Sequence, residues 1–282
     1  MTKITIAYLG PKGTYTETIA KQLFTEAHLI PIIPIRKVIF AVENSEVDKA
    51  IVPLENFFNG EVREVLDTLQ ECSKTKIEKE VSNKIIHCLG ALKNHREIKE
   101  VMSKDQALEQ CSVYLANKYP NIKLIQTPST AEAITIIKEK GLINHAAIAS
   151  EKTLLENDFE IIAKDLCPNN KTRFVILSKD KTSTTKDDKT LLSVHPEIKD
   201  KPGVLKGILD IISEENINLE YIQSRPDGKN GYYFYLELEG HQKEKKINGA
   251  IIKLKNLLDP ENKYQEVIKV LGSYPNSHWK EI

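Results

Sequence analysis

The stretch PNNKTRFVIL, residues 168–177, begins with turn-forming residues and ends in an apolar run typical of a buried strand. Thr172 and Arg173 stand just before that run, where the chain enters the strand. Only five of the 40 basic residues are arginine, and a planar guanidinium is suited to a carboxylate held at two oxygens. We therefore expect a special role for Arg173. We also expect the strand to return the chain to the first lobe of an α/β domain.

Strands alternate with helices before this stretch. ITIAYLG (4–10) predicts a strand, and TETIAKQLF (16–24) predicts the helix after its glycine turn. The buried strand AIVPLEN (50–56) and the helix GEVREVLDTLQE (60–71) repeat the order. Such alternation favours a parallel or mixed sheet with helices on its faces.

A second α/β passage begins near Ile77, in KIEKEVSNKIIHCLGAL (76–92). Further segments follow as strand EVMSK (100–104), helix DQALEQCSVYLANKYP (105–120), strand KLIQTP (123–128), helix STAEAITIIKEKG (129–141) and strand AAIAS (146–150). Ser129 and Glu132 form a capping-box pattern. We predict a first lobe over about residues 1–76 and 160–180, a second lobe over 77–159, and a ligand cleft at their junction.

The segment SKDKTSTTKDDK (178–189) contains no apolar residue, which predicts a linker at 181–189. The order of elements beyond it is βαββαβ, over residues 190–282. The segments are TLLSVHP (190–196), PGVLKGILDIISEEN (202–216), INLEYIQSRP (217–226), GYYFYLELEG (231–240), KEKKINGAIIKLKNLL (243–258) and YQEVIKVLGSYP (264–275). This order is typical of a ferredoxin-like domain, whose edge strands often join paired copies.

Composition excludes several classes of protein. The chain of 282 residues carries 40 basic and 40 acidic residues, so nothing indicates a nucleic-acid partner. No apolar run approaches the roughly 18 residues of a membrane helix, and MTKITIAYLG lacks the features of a signal peptide. We expect a cytoplasmic protein with no membrane partner.

The cysteines Cys72, Cys88, Cys111 and Cys167 form no C-x-x-C pair, and the histidines show no H-E-x-x-H spacing. We therefore expect no metal and reduced thiols. YLGPKGTYTE (8–17) matches neither a Walker loop nor G-x-G-x-x-G. Its glycine turn either offers N–H groups to a carboxylate or phosphate, or is an ordinary tight turn.

Two further polar stretches each allow two interpretations. Glu55 and Asn56 end an apolar strand, where ligands collect in open α/β sheets, or Glu55 caps the next helix. Ser103 and Gln110 line a cleft, or Ser103 is a helix cap with Gln110 in solvent.

We expect Thr172, Arg173, Glu55, Asn56 and the glycine turn to form a polar cluster. It lacks a thiol–imidazole pair, a serine elbow, a metal triad and a cofactor loop. It suits a substrate that reacts largely by itself once it is oriented and desolvated.

The ordered set of motifs resembles prephenate dehydratase with a C-terminal ACT regulatory domain. The set comprises YLGPKGTY, VPLEN, SKDQALEQC, STAEA, AAIAS, NKTRF, PGVL and QSRP, and it covers nearly the whole chain. The resemblance implies a two-lobed catalytic domain of the periplasmic-binding-protein type (type II). It also implies conversion of prephenate to phenylpyruvate without a cofactor.

Carried over by position, the resemblance implies roles for individual residues. Thr172 would be the main catalytic residue, assisted by Arg173, Glu55 and Asn56. Arg173 would hold a substrate carboxylate or anchor the loop. The expected substrate-binding residues are Gly13, Thr14, Ser103, Gln110 and Phe174.

The ACT domain implies feedback inhibition by phenylalanine at an interface of a homodimer or homotetramer. The expected effector-binding residues are Gly203, Val204, Leu205, Gln223, Ser224, Arg225 and Pro226. Gln223 stands where the family usually has glutamate.

The first domain departs from the usual family pattern at two places. Phe57 stands where the family usually has serine, and Lys104 and Asp105 stand where it usually has His-Pro. These departures leave arogenate as an alternative substrate to prephenate. A non-catalytic amino-acid sensor is the other alternative, but it would have no reason to keep Thr172 with Arg173.

Overall fold

The computed structural model describes residues 3–196, 202–228, 231–263 and 266–280. In chain order its elements are β1 Thr5–Leu9, α1 Tyr15–Leu23, β2 His28–Ile32, α2 Ile35–Glu43, β3 Lys49–Asn56, β4 Gly60–Glu61, α3 Arg63–Glu71, β5 Lys76–Lys84, β6 Cys88–Leu92, β7 Glu100–Ser103, α4 Asp105–Gln110, α5 Ser112–Lys118, β8 Lys123–Gln126, α6 Thr130–Lys140, β9 His145–Ala149, α7 Glu151–Glu156, β10 Phe159–Ala163, β11 Lys171–Ser178, β12 Asp188–Val194, α8 Val204–Glu214, β13 Leu219–Pro226, β14 Tyr232–Glu239, α9 Lys245–Leu258 and β15 Ile268–Pro275.

The described residues within 1–54, 62–82 and 173–282 form one compact unit, called here the first unit. Its sheet runs in the order β13-β14-β12-β15-β5-β11-β3-β1-β2, with β4 paired to β3. Strand β1 is parallel to both β2 and β3, as the strand–helix alternation predicts. The sequence analysis missed strand β2, HLIPI, because two of its residues are exposed and the others are only partly buried.

The described residues within 55–61 and 83–172 form the second unit. Its sheet has the order β10-β6-β9-β7-β8, with β7 parallel to β8 and β9, and β6 antiparallel to β9 and β10. This division differs from the predicted lobe boundaries. Strand β10 pairs with β6, which brings residues 160–172 into the second unit, and β5 belongs to the sheet of the first. Pairing between strands that are distant in the chain decides which unit a segment belongs to. The local sequence pattern does not show this pairing.

The C-terminal elements have the predicted βαββαβ order, and their four strands are antiparallel neighbours. The first two residues of the predicted last strand, 264 and 265, lie outside the described residues. Strand β15 also pairs in parallel with β5, through Gly272 and Ile77. Only glycine permits this approach, because a Cβ at position 272 would lie 2.5 Å from the Ile77 carbonyl oxygen. The C-terminal sheet is therefore continuous with the sheet of the N-terminal segments.

The central strands of the C-terminal sheet are covered on both faces. Leu192, Leu236 and Leu238 pack with helices α8 and α9 in one apolar cluster. Tyr235 and Tyr274 pack on the opposite face, in the cluster that contains residues of α2 and α3. Strand β12 is consequently buried at every residue, which explains why it shows no alternation of polar and apolar positions.

Helix ends follow the local chemistry that the sequence predicts. The Ser129 hydroxyl accepts the Glu132 N–H at 3.0 Å and caps α6, and Gly141 ends that helix with a φ of 58°. The predicted helix over 105–120 is broken at Cys111 into α4 and α5. In the described part of the chain, no helix is long and apolar enough to cross a membrane.

Glu43, at the end of α2, holds the loop that follows α3. Its carboxylate accepts the backbone N–H groups of Ser73 at 2.9 Å and Thr75 at 2.8 Å, and both hydroxyls at 2.8 Å. Burial raises the pKa of this carboxyl, but the hydrogen bonds from Thr75 and Ser73 outweigh burial and lower the pKa to about 2.

Candidate active site

A network of amide side chains surrounds the Thr172 hydroxyl in the second unit. The Asn56 amide nitrogen lies 2.9 Å from Thr172 Oγ1, 2.8 Å from Asn170 Oδ1 and 3.1 Å from the Lys171 carbonyl oxygen. Asn56, Asn170 and Thr172 are 5%, 0% and 7% exposed. Strand β3 delivers Asn56 at its last residue, and β11 delivers Thr172 at its second.

The direction of these hydrogen bonds follows from the backbone. Asn56 Oδ1 faces the N–H groups of Phe58 at 3.1 Å and Asn59 at 3.2 Å, which are donors without ambiguity. The oxygen of the Asn56 amide must therefore point to this turn, and its NH2 group must point to Thr172. Thr172 Oγ1 accepts a hydrogen bond from Asn56, and its own proton remains to be donated elsewhere.

Gln110 extends the network. Its amide nitrogen donates to Asn56 Oδ1 at 3.0 Å and to Asn59 Oδ1. Its oxygen therefore faces Asn170 Nδ2 at 2.9 Å and His87 Nε2 at 2.8 Å. Gln110 thus belongs to the amide network around Thr172, and its expected contact with substrate stays a prediction.

Other residues expected to bind substrate have local partners. Ser103 is fully buried and donates to the Ile148 carbonyl at 2.7 Å, so it does not cap α4, whose N-cap is Lys104. Thr14 caps α1 by accepting the Glu17 N–H at 3.3 Å, and the Gly13 N–H donates to Glu17 Oε2 at 2.5 Å.

Glu55 and Phe174 differ in their surroundings. Glu55 is partly buried on β3, opposite Glu61 of β4. Phe174 is 2% exposed in an apolar cluster with Ile6 and Ile51 of the first unit. Its side chain contributes to the core.

Arg173 lies in a buried ionic cluster of the first unit, with Glu80 of β5, Lys189 of β12, Glu237 of β14 and Tyr274 of β15. Arg173 Nη1 is 2.7 Å from Glu237 and 3.1 Å from Glu80. Lys189 Nζ is 3.4 Å from Glu80 and 3.6 Å from Glu237, and the Tyr274 hydroxyl donates to Glu237 at 2.5 Å. The side chains of all four charged residues are at most 4% exposed. Of the two roles left open for Arg173, this geometry favours the anchor.

The cluster is charge-balanced, and its electrostatics are those of a buried network. Burial raises the pKa of Glu237, but the positive charges of Arg173 and Lys189 outweigh burial and hold this pKa below its ordinary value. Burial lowers the pKa of Lys189, but Glu237 and Glu80 outweigh it and raise this pKa. Glu237 and Lys189 therefore both remain ionised at neutral pH.

The residues expected to bind an effector lie on α8 and β13. Gly203 is the N-cap of α8 with a φ of 97°, a conformation that favours glycine, and Leu205 is 37% exposed. Gln223 and Arg225 pair with Tyr235 and Tyr233 of β14. Arg225 also forms an ion pair with Asp67 of α3 at 2.8 Å.

Two of the departures lie on exposed positions. Phe57, which stands beside Asn56, is 62% exposed and meets the Phe58 ring edge to face at 5.4 Å. Lys104 and Asp105 form the exposed start of α4. In the part of the chain that the structure describes, no group of three His, Cys, Asp or Glu side chains could share a metal ion.

The fold and this network define a two-lobed α/β enzyme of the periplasmic-binding-protein-like type, with a C-terminal ACT domain. The family model for prephenate dehydratase matches residues 6–182, and the ACT domain model matches residues 196–256. The chain belongs to the prephenate dehydratase family, as the sequence predicts, and it is an enzyme of that family, a lyase.

Individual relatives agree with this assignment. The chain is 35% identical to a bifunctional chorismate mutase/prephenate dehydratase of Aquifex aeolicus, over 99% of this chain and 75% of that protein. It is 32% identical to a prephenate dehydratase of Lactococcus lactis, over 84% of this chain and 87% of that protein. A solved prephenate dehydratase of Arthrobacter aurescens in complex with L-Phe has a TM-score of 0.84 and 28% identity, and the match covers 99% of this chain and 92% of that one.

Three members of the network were missed by the sequence analysis: Asn59, His87 and Asn170. Asn170 precedes Thr172 by two residues within the quoted stretch, so its position was a usable signal. His87 and Asn59 carried none, because their contacts with Gln110 arise only from folding.

Proposed function

We propose that the chain converts prephenate to phenylpyruvate, and that Thr172 donates a hydrogen bond to the departing hydroxyl group. Loss of carbon dioxide pushes an electron pair into the ring, hydroxide leaves, and the ring becomes aromatic. The protein has only to orient the substrate and to stabilise charge that develops on the leaving oxygen.

The observation that carries this proposal is the hydrogen bond from Asn56 to Thr172 Oγ1. Because that oxygen already accepts from Asn56, the Thr172 proton is directed to a further acceptor. The donor acts in a buried environment, where a hydrogen bond to developing negative charge is stronger than in water. Asn56, Asn170 and Gln110 hold this arrangement in place.

The predicted substrate contacts of Gly13, Thr14, Ser103 and Phe174 remain predictions, as does a catalytic part for Glu55. We assign Arg173 to anchoring, because its guanidinium engages Glu80 and Glu237. The substrate carboxylates would then be held by other groups.

The test compares Thr172→Val with Thr172→Ser by the rate of phenylpyruvate formation from prephenate. Valine keeps the shape and removes the donor, so we expect kcat to fall by about 100-fold to 1000-fold, whereas serine should retain most of the activity. A valine variant that keeps a near-normal kcat would refute the role of Thr172.

A parallel assay with arogenate, followed by the formation of phenylalanine, tests which substrate is preferred. We expect prephenate to be favoured. Faster turnover of arogenate would change the substrate, and absence of turnover with both would favour the non-catalytic sensor.

We further propose that phenylalanine inhibits the enzyme through the ACT domain. The ACT match and the L-Phe complex of the Arthrobacter aurescens relative support this regulation. The ionic cluster offers a physical route, because Glu237 lies on β14 of the ACT sheet and Arg173 directly follows Thr172. A shift of β14 on effector binding would therefore act on the residue next to the catalytic threonine.

Titration with phenylalanine tests this regulation, with Glu237→Gln as the probe and Glu220→Gln as its control. Both glutamates pair with Lys189, but only Glu237 contacts Arg173. We expect phenylalanine to inhibit the parent and the control, and to inhibit Glu237→Gln less. Saturating phenylalanine without effect on the parent would refute the regulation itself.

The remaining assignments are also proposals. We propose a catalytic domain over residues 1–180, a linker over 181–189 and an ACT domain over 190–282, in a cytoplasmic protein. We propose a homodimer or homotetramer formed through the ACT domains, since β13 lies at the end of the sheet order and Ile222 on it is 42% exposed. Light scattering of the parent and of Ile222→Lys tests the assembly, and a monomeric parent would contradict it.

A further inference from the structure

His87 directly precedes β6 and is 6% exposed, so its ring lies in the interior of the second unit. Its carbonyl oxygen accepts the Leu166 N–H at 3.0 Å, which fixes the backbone at this point. Burial of an imidazole ring costs free energy unless its nitrogens make hydrogen bonds.

The ring makes one side-chain hydrogen bond, at 2.8 Å from Nε2 to Gln110 Oε1. The direction is settled by the network, because the Gln110 nitrogen already donates to Asn56 and Asn59. His87 Nε2 must therefore carry the proton. Burial lowers the pKa of His87, so the ring is neutral and its Nδ1 carries a lone pair. Nδ1 meets no hydrogen-bond partner in the described part of the chain.

We propose that His87 is a positioning residue for the dehydratase reaction, acting on Thr172 through Gln110 and Asn56. The inference rests on the proposed role of the Thr172 hydroxyl. His87 and Asn170 both donate to Gln110 Oε1 and keep the Gln110 nitrogen on Asn56 Oδ1. With its oxygen held in this way, Asn56 keeps its NH2 group on Thr172.

The experiment measures kcat and KM for His87→Phe, with His145→Phe as the matched control. His145 belongs to the same unit, contacts Glu100 at 2.8 Å, and also has a buried Nδ1 that makes no hydrogen bond within the described residues. We expect kcat of His87→Phe to fall about ten-fold, as for one neutral hydrogen bond, with little change in KM. The control should keep the parental kcat.

Two further variants separate positioning from general damage. His87→Gln returns an N–H donor toward Gln110, and it should recover most of the activity. Adding His87→Phe to Gln110→Ala should cause no further loss, because the effect of His87 passes through Gln110. A normal kcat in folded His87→Phe, or independent losses in the double variant, would overturn the inference.

Nitrogen NMR of the parent protein, with its histidines labelled with ¹⁵N, tests the inference without a variant whose fold could change. We expect a neutral ring protonated at Nε2, and an Nδ1–H tautomer or a cationic ring at neutral pH would overturn the inference. The outcome is distinct from failure of the proposed function. If Thr172→Val is inactive while His87→Phe is normal, only the positioning role falls, whereas an active Thr172→Val removes the role of Thr172 itself.

Discussion

Exchange of Asn56 for aspartate reverses the hydrogen bond on which the site depends. The Asn56 NH2 group faces three acceptors, namely Asn170 Oδ1, the Lys171 carbonyl and Thr172 Oγ1. In Asn56→Asp a carboxylate oxygen would face the same three atoms. Only Thr172 can respond, by turning its own proton toward the new carboxylate. Thr172 can then no longer donate a hydrogen bond to the substrate.

The magnitude follows from these contacts. Loss of the hydrogen bond that Thr172 would donate to the leaving group should lower kcat by about 100-fold or more. The Lys171 carbonyl keeps the Phe57 N–H at 2.9 Å, but Asn170 Oδ1 loses its donor. One unsatisfied buried acceptor beside a buried charge should lower the free energy of unfolding by about 3 kcal/mol.

The dependence on pH has a definite sign. Burial and the acceptors around one oxygen of the introduced carboxyl favour its neutral form, whereas the N–H donors of Phe58, Asn59 and Gln110 around the other oxygen favour the carboxylate, and the balance sets its pKa. As pH falls toward that pKa the carboxyl gains a proton, and it can then donate to Thr172 Oγ1 as Asn56 does. The kcat of Asn56→Asp relative to the parent should therefore rise as pH falls.

The assay is phenylpyruvate formation between about pH 5.5 and pH 8.5, with the uncatalysed rate subtracted and folding checked by circular dichroism. Asn117→Asp is the matched control, because it makes the same exchange at an exposed position of α5 in the same unit. The control should stay near the parental kcat. A folded Asn56→Asp with kcat within about ten-fold of the parent at pH 8 would refute the assigned direction of the network.

Further predictions concern the anchor, the sheet junction and a loop. Arg173→Lys should lower the free energy of unfolding by about 2 kcal/mol and leave KM unchanged, because the lysine side chain is one bond shorter and its ammonium would not reach the position of Nη1, which lies within 3.1 Å of both Glu80 and Glu237. A raised KM in a protein of parental stability toward denaturant would assign Arg173 to the substrate. Gly272→Ala should lower the free energy of unfolding by about 2 kcal/mol and weaken inhibition by phenylalanine, because its Cβ would lie 2.5 Å from the Ile77 carbonyl oxygen. Calorimetry and inhibition curves measure these two effects, and parental values would contradict the prediction. Glu43→Gln should lose about 2 kcal/mol at neutral pH after allowance for partial exposure. The pKa of Glu43 in the folded protein is about 2, below its ordinary 4.5. The difference in the free energy of unfolding between the parent and Glu43→Gln should therefore shrink as pH falls from 4.5 toward 2. A difference in urea denaturation that does not depend on pH would exclude the loop contacts at 73–75.

Local chemistry explains the parts of the fold that the sequence predicted well. The cap at Ser129 and the alternation of strands and helices depend on neighbouring residues, so they can be read directly. The βαββαβ order of the C-terminal segment has the same basis. Strand β2 and the break at Cys111 were missed because their patterns are weak over a few residues.

Contacts between distant segments explain what the sequence left undecided. Gln110 had two possible environments, and only its bonds to Asn56 and Asn170, more than fifty positions away in each direction, choose between them. Arg173 had two possible partners, and the choice depends on Glu80 and Glu237, which belong to different sheet strands.

The amino-acid sequence by itself determined the family and the order of most elements, and it predicted Thr172 as the catalytic residue, because motifs and short-range periodicity are local properties of the chain. The tertiary structure decided which acceptor each amide faces, and it joined the ACT sheet to the catalytic segments at Gly272. The physical reason is that a hydrogen bond has a donor and an acceptor in three dimensions, and the chain folds them together across separations that no local pattern encodes.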